Sequence, residues 1–176
     1  YDRVLSLWRK AFAMGRRMHK SLLIAECVPG GTTTAQAVLT GLGLSVSQFI
    51  SGSGLNPPRE QKIEIVEAGL KAANLGLNPS PQRLIAAVGD PFQAIAAGLL
   101  LGAREAGQKV LLGGGSQMLA VLALTLSALP IPERRSFVEG IFLGTTKWLV
   151  DETNSTYPKN NSLVSLIDIV GDFFGV

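Results

Sequence analysis

Residues 21–35 read SLLIAECVPGGTTTA and combine an apolar run, a glycine turn and the start of a helix. The apolar run is bounded by turn residues, so it predicts a buried strand over residues 21–27. Pro29, Gly30 and Gly31 break the chain sharply, and Thr32 or Thr33 can cap the helix that follows. This segment therefore predicts the strand, turn and helix of an α/β unit.

The same order recurs twice further along the chain. Apolar runs at residues 84–88 and 109–112 predict strands, and each stops at glycines before a helix over residues 91–106 or 117–129. We also expect a helix over residues 1–20, a short strand around 46–50 and a helix from Pro58 to about Asn74.

Strands that alternate with helices indicate a parallel sheet with right-handed crossovers, covered on both faces. The predicted fold is therefore α/β: a three-layer Rossmann-like parallel sheet with helices on both faces. We expect residues 1–176 to form a single α/β domain that belongs to a longer chain.

Composition excludes several classes of protein. With 176 residues, 47% hydrophobic and 16% charged, the chain can bury one core and is too apolar for disorder. The net charge of +3 is small, and the basic residues are scattered apart from a basic stretch within residues 3–20, so the charge does not favour nucleic acid. The longest apolar stretches are shorter than the ~20 residues of a membrane span. Without a signal peptide or a disulfide partner for Cys27, we expect a cytoplasmic protein.

The glycine turns indicate where a ligand binds. In parallel sheets the ligand lies beyond the carboxyl ends of the strands, where all three turns should meet. A phosphate needs backbone N–H groups and a nearby helix N-terminus, and glycine lets it approach closely. The loop matches neither the Walker A motif nor the Gly-x-Gly-x-x-Gly fingerprint, and a plain helix cap is an equally good interpretation. Glu26 favours a site, because a carboxylate at the end of an apolar strand is costly unless paired or used as a base.

Several spaced segments resemble the nicotinate-nucleotide:dimethylbenzimidazole phosphoribosyltransferase family, in its archaeal and cyanobacterial branch. The most specific match is the glutamate, glycine turn and triple threonine of residues 26–35. The others are Gly52-Ser53-Gly54 followed by Lys62, then GDPFQ at residues 89–93 and GGGSQ at 113–117. The resemblance covers roughly residues 22–129. The C-terminal Gly-Glu-Gly-type segment that carries the principal catalytic glutamate of the well-studied members has no counterpart here.

The resemblance implies transfer of ribose phosphate from nicotinate mononucleotide to dimethylbenzimidazole or a related base in cobamide assembly. It implies a homodimer and neither metal nor cofactor; we expect no nucleic acid or membrane partner. The candidate catalytic residues are Glu26 and Asp90, with Asp151 and Glu152 behind them. The candidate phosphate and ribose ligands are Gly30, Gly31, Thr32, Thr33, Gly52, Gly54, Lys62, Gly89, Gly114, Gly115 and Ser116.

Alternatives remain open for these residues. Asp90 can instead cap the helix that begins at Pro91, Lys62 can pair with a surface glutamate, and Asp151 and Glu152 suit a solvated turn. Gln93 and Gln117 can bind ribose or base, or serve as helix caps. We expect His19 to be exposed, Cys27 to be a small buried residue, and Trp8 and Trp148 to pack. For the whole chain, the main rival function is a non-catalytic module that binds a phosphorylated ligand, and a third is an inactive scaffold.

Overall fold

A computed structural model describes residues 1–50, 58–150 and 163–176. Within these residues the strands are β1 (Leu22–Ala25), β2 (Val110–Gly113) and β3 (Ile141–Gly144). The helices are α1 (Asp2–Gly15), α2 (Gly31–Gly41), α3 (Arg59–Ala73), α4 (Pro81–Val88), α5 (Pro91–Glu105), α6 (Ser116–Ser127), α7 (Ile131–Val138), α8 (Lys147–Val150) and α9 (Leu163–Phe174). In this part of the chain no helix is both long and apolar enough to cross a bilayer.

The three strands form one parallel sheet in the order β1-β2-β3. In its register Leu22 lies opposite Val110, which lies opposite Ile141. Helices flank this sheet, so the predicted α/β class is confirmed. Since β1 and β2 are parallel neighbours, the loops that follow them leave the same edge of the sheet side by side.

The two faces of the sheet differ in burial. Ile24, Val110 and Leu112 are at most 6% exposed and join the core formed with α2, α5 and α6. On the alternate face, Leu23, Leu111 and Phe142 are 61%, 41% and 52% exposed. Among the described residues, helices thus seal one face, whereas the sequence predicts cover on both. The connections from β1 to β2 and from β2 to β3 both move one strand in the same direction across the sheet. Right-handed connections of this kind place their helices on the same face of the sheet.

Two predicted strands are wrong. Residues 84–88 belong to α4, because Ser80 caps this helix by accepting a hydrogen bond from the Arg83 N–H at 3.4 Å, with Pro81 in the first turn. Residues 46–50 form a turn in which the Phe49 N–H donates to Val46 O at 2.9 Å. The third strand is instead β3, which the sequence interpretation missed. The predicted first helix is also shorter, since it ends at Gly15.

Helix α1 packs closely along α5 through small residues. A Cβ on Gly98 would lie 2.5 Å from Trp8 O, and one on Gly15 would lie 2.5 Å from Leu99 O. Trp8 itself is only 7% exposed, as expected of a packing residue. These glycines therefore set the distance between the two helices.

We predict that Gly98→Ala destabilises the protein by about 1–3 kcal/mol, because the added methyl group meets the α1 backbone. Gly69→Ala is the matched control: it also lies inside a helix, but its new methyl group would meet only Val88 Cγ1 at 3.6 Å. The control should gain about 0.5–1 kcal/mol from helix propensity. Urea unfolding measures both, and equal effects from the two variants would contradict this account of the helix contact.

Candidate functional site

Three helix N-termini meet at the carboxyl edge of the sheet. Helix α2 begins just after β1, and α6 begins just after β2. Gly30 precedes α2 in the left-handed conformation, with φ of +74°, which favours glycine. The N-terminus of α5 joins them through the side chain of Asp90, the residue that precedes it.

Asp90 holds the three helix N-termini together. Its Oδ1 accepts from the Gln93 N–H at 3.0 Å and so caps α5. Its Oδ2 accepts from Thr34 Oγ1 of α2 at 2.6 Å and from Gln117 Nε2 of α6 at 2.8 Å. The capping alternative for Asp90 is confirmed, and the same carboxylate cross-links three helices.

Two buried glutamines complete this network. Gln93 and Gln117 are 0% and 1% exposed, and Gln93 Nε2 donates to Gln117 Oε1 at 3.0 Å. Gln93 Oε1 accepts from the Asp90 N–H at 3.2 Å, which closes a capping box. A Cβ on Gly89 would lie 2.5 Å from Gln93 Oε1, so Gly89 is needed to admit the glutamine. Both glutamines serve the helix ends rather than an exposed surface.

The loop between β1 and α2 forms a compact cradle. The N–H groups of Thr33 and Thr34 donate to Gly30 O at 2.9 and 3.3 Å, which closes the first turn of α2. Within the described residues, the N–H groups of Gly30 and Thr32 have no hydrogen-bond acceptor. The side-chain nitrogen of Gln117 lies 3.5 Å from where a Cβ on Gly31 would be. N–H groups without an acceptor among the described residues are what an anion site at a helix N-terminus would use.

A lysine strengthens the positive character of this cradle. Lys62 Nζ on α3 donates to Thr32 Oγ1 at 2.8 Å. Helix α2 has no acidic residue in its first turn. A helix N-terminus carries about half a positive charge, and the Lys62 ammonium adds a further positive charge beside it. The arrangement of Lys62 and α2 therefore favours a phosphate or carboxylate ligand.

Glu26 lies at the shared ends of β1 and β2. Its side chain is partly buried, and its Oε2 accepts from the Val28 N–H at 2.9 Å. Its Cγ lies 3.7 Å from where a Cβ on Gly114 would be. Val28 in turn contacts the cradle, since its Cβ lies 3.3 Å from the corresponding position on Gly31. Glu26 is thus an acidic group one short loop away from the positive cradle.

The structure brings most of the predicted site residues to this edge. They are Glu26, Gly30, Gly31, Thr32, Thr33, Lys62, Gly89, Asp90, Gly114, Gly115 and Ser116. Gly52, Gly54, Asp151 and Glu152 lie outside the described residues. Thr34, the third threonine of the loop, is not among the predicted site residues, but its hydroxyl joins the site by donating to Asp90. The ligand roles of all these residues stay predictions.

The remaining candidate residues lie elsewhere or face solvent. His19 is exposed, as we expected, whereas Cys27 is exposed rather than buried, and Trp148 is 49% exposed rather than packed. In the parts of the chain that the structure describes, no three His, Cys, Asp or Glu side chains gather to hold a metal ion.

Fold and site together define an α/β protein in which a glycine-rich loop and Lys62 lie together at the carboxyl edge of a parallel sheet. A sequence model of a family described as "Phosphoribosyltransferase" matches residues 8–132. The chain belongs to this phosphoribosyltransferase family.

Its relatives include proteins of marine cyanobacteria. The chain is 59% identical to a UPF0284 protein of Prochlorococcus marinus strain MIT 9313 and 52% identical to one of Parasynechococcus marenigrum strain WH8102. Each match covers 99% of this chain but only 43% of the relative. The chain therefore spans less than half the length of these relatives.

Solved structures share the fold. CobT from Thermus thermophilus has a TM-score of 0.60 and 19% identity, over 99% of this chain and 56% of that one. A nicotinate-nucleotide-dimethylbenzimidazole phosphoribosyltransferase structure from the same organism has a TM-score of 0.59 and 19% identity, over 99% of this chain and 55% of that chain. At this level of identity the likeness supports the fold alone.

We predict that Gln93→Ala destabilises the protein by about 1–3 kcal/mol, because it leaves the buried Gln117 Oε1 and the Asp90 N–H without partners. Gln61→Ala on the exposed side of α3 is the control and should stay within about 0.5 kcal/mol of wild type. Thermal and urea unfolding compare the two. A Gln93 variant as stable as the control would contradict the proposed importance of the network.

Proposed function

We propose that the full-length protein transfers the ribose phosphate of nicotinate mononucleotide to dimethylbenzimidazole or a related aromatic base, with release of nicotinate. The product would serve as the lower ligand of a cobamide. The observation that carries this proposal is the positive cradle of α2 and Lys62 beside an acidic Glu26. Family membership and the fold shared with a phosphoribosyltransferase support the same conclusion.

The cradle accounts for binding of the donor. The 5′-phosphate would accept from the open N–H groups of Gly30 and Thr32 and from Lys62. Gly30 and Gly31 carry no side chain that would block the approach of phosphate oxygens. Gly115 and Ser116 begin α6 at the same edge, but both are buried, so the half-buried Gly114 is the predicted residue here that is proposed to face the ribose.

Glu26 is the leading candidate for the base. A ring nitrogen of the acceptor attacks the anomeric carbon, and the bond from that carbon to the nicotinate nitrogen breaks. The nitrogen electron pair leaves with nicotinate, and Glu26 takes the proton from the other nitrogen of the acceptor. Glu26 is one loop away from the cradle, as a base that acts near a phosphate-anchored ribose requires.

Asp90 is the second predicted catalytic carboxylate. Three donors already hold its oxygens, so the geometry suits it to position Thr34 and Gln117 at the site. A cytoplasmic location and a homodimer are also part of the proposal.

Glu26→Gln in the full-length protein should lower the rate of nicotinate release by about 10²–10⁴-fold, because the amide cannot accept the proton. Glu64→Gln, on the exposed side of α3, should leave the rate unchanged. Nicotinate release from nicotinate mononucleotide with dimethylbenzimidazole is followed by chromatography. Wild-type protein that binds the donor by calorimetry yet never releases nicotinate would instead favour a non-catalytic binding module.

Lys62→Ala should weaken binding of nicotinate mononucleotide by about 10-fold to 100-fold, which corresponds to the loss of one charge-assisted hydrogen bond. Lys71→Ala in the last turn of the same helix is the matched control. Calorimetric titration of full-length variants gives both dissociation constants. Equal affinity for the Lys62 and Lys71 variants would remove the cradle from the proposal.

A further inference from the structure

An apolar row crosses the exposed face of the sheet. Leu23, Leu111 and Phe142 are direct register partners on three adjacent strands. Their exposed fractions are 61%, 41% and 52%. Because side chains alternate between faces along a strand, the three lie side by side on the face opposite the core.

The row continues toward the carboxyl edge of the sheet. Leu23 Cδ1 lies 3.4 Å from where a Cβ on Gly113 would be, and Leu111 Cδ1 lies 3.2 Å from the same position on Gly144. The leucines thus lean over the two glycines, and the apolar surface extends to the edge where the cradle begins. Parallel sheets occur almost only with both faces covered, so an open face of this kind is unusual.

The described chain is not placed to cover this face. The crossovers from β1 to β2 and from β2 to β3 step in the same direction, and crossovers of one hand that do so share a face. The two long helices outside those crossovers, α1 and α9, pack against α5 and α6, which cover the other face. A cover must therefore come from residues other than these helices.

The lengths of the relatives supply a source for the cover. Relatives that match 99% of this chain devote only 43% of their length to it. More than half of each such protein therefore lies outside the matched region. That is ample to add helices, and also strands beside β1 whose crossovers run the opposite way.

We propose that the row of Leu23, Leu111 and Phe142 is an intramolecular docking surface, covered in the full-length protein by a segment outside these 176 residues. The occupant is an apolar helical layer of the same polypeptide. The row lies on the face of the sheet opposite the helices that form the cradle, so its covering does not depend on which substrate the protein binds.

Thiol protection in the full-length protein tests this proposal. In a Cys27→Ser background, a cysteine replaces Leu111 in one variant and Phe142 in a second. Leu77, which is 97% exposed, is replaced in the control. Each native protein reacts with a maleimide, and peptide mass analysis measures the modification of the introduced thiol. Reaction in denaturant confirms that all three thiols are equally reactive when unfolded.

The Leu111 and Phe142 thiols should react at least about 100-fold more slowly than the Leu77 thiol, because labelling requires local opening of a packed layer. The ratio should not change when the protein is diluted. Rates within a few-fold of the control at both positions would show an open face and overturn the proposal. Protection that disappears on dilution, together with dissociation in sedimentation analysis, would assign the surface to a second copy and also overturn it.

Discussion

The site depends on one carboxylate that bonds to three helix N-termini. Each N-terminus carries a partial positive charge, so bringing α2, α5 and α6 together costs electrostatic energy. Asp90 offsets this cost, since it accepts one hydrogen bond from each helix. The buried Gln93 and Gln117 are hydrogen-bonded to Asp90 and to each other. Hydrogen bonds from this buried polar network to Thr34 therefore hold the start of α2 in place.

Positive charge gathers where Lys62 meets the N-terminus of α2. Three donors from the helix ends hold the Asp90 carboxylate, while Lys62 Nζ adds a cation beside Thr32. The N-terminus of α2 and the Lys62 ammonium both contribute positive charge at this loop, which suits a phosphate dianion. Glu26 follows the end of β1 and lies one short loop before α2. Separation of an anion site from an acidic group is the arrangement that ribose transfer needs, because the phosphate anchors the sugar while the base acts at its other end.

Local chemistry determined which parts could be predicted. The glycine turn at Gly30 marks the start of α2, although the predicted cap by Thr32 or Thr33 was wrong because Gly30 precedes the helix and no side chain caps it. Asp90 with Pro91 and Gln93 forms a capping box within four residues, so the start of α5 was predictable as well. The predicted strand over residues 84–88 was wrong because a short apolar run fits a strand and a helix equally well. The cap from Ser80 shows that this run belongs to a helix. The contact of Thr34 with Asp90 spans 56 residues, and no local pattern specifies it. Among the described residues, helices cover only one face of the sheet because of the strand order β1-β2-β3. The sequence alone did not predict that order.

Phosphate binding at the N-terminus of α2 can be tested with a crystal structure of the full-length protein bound to nicotinate mononucleotide. Phosphate oxygens should lie about 3 Å from the Thr32 amide nitrogen and from Lys62 Nζ, with the ribose directed toward Glu26. A phosphate bound elsewhere, with the Gly30 and Thr32 amides facing only solvent, would contradict it.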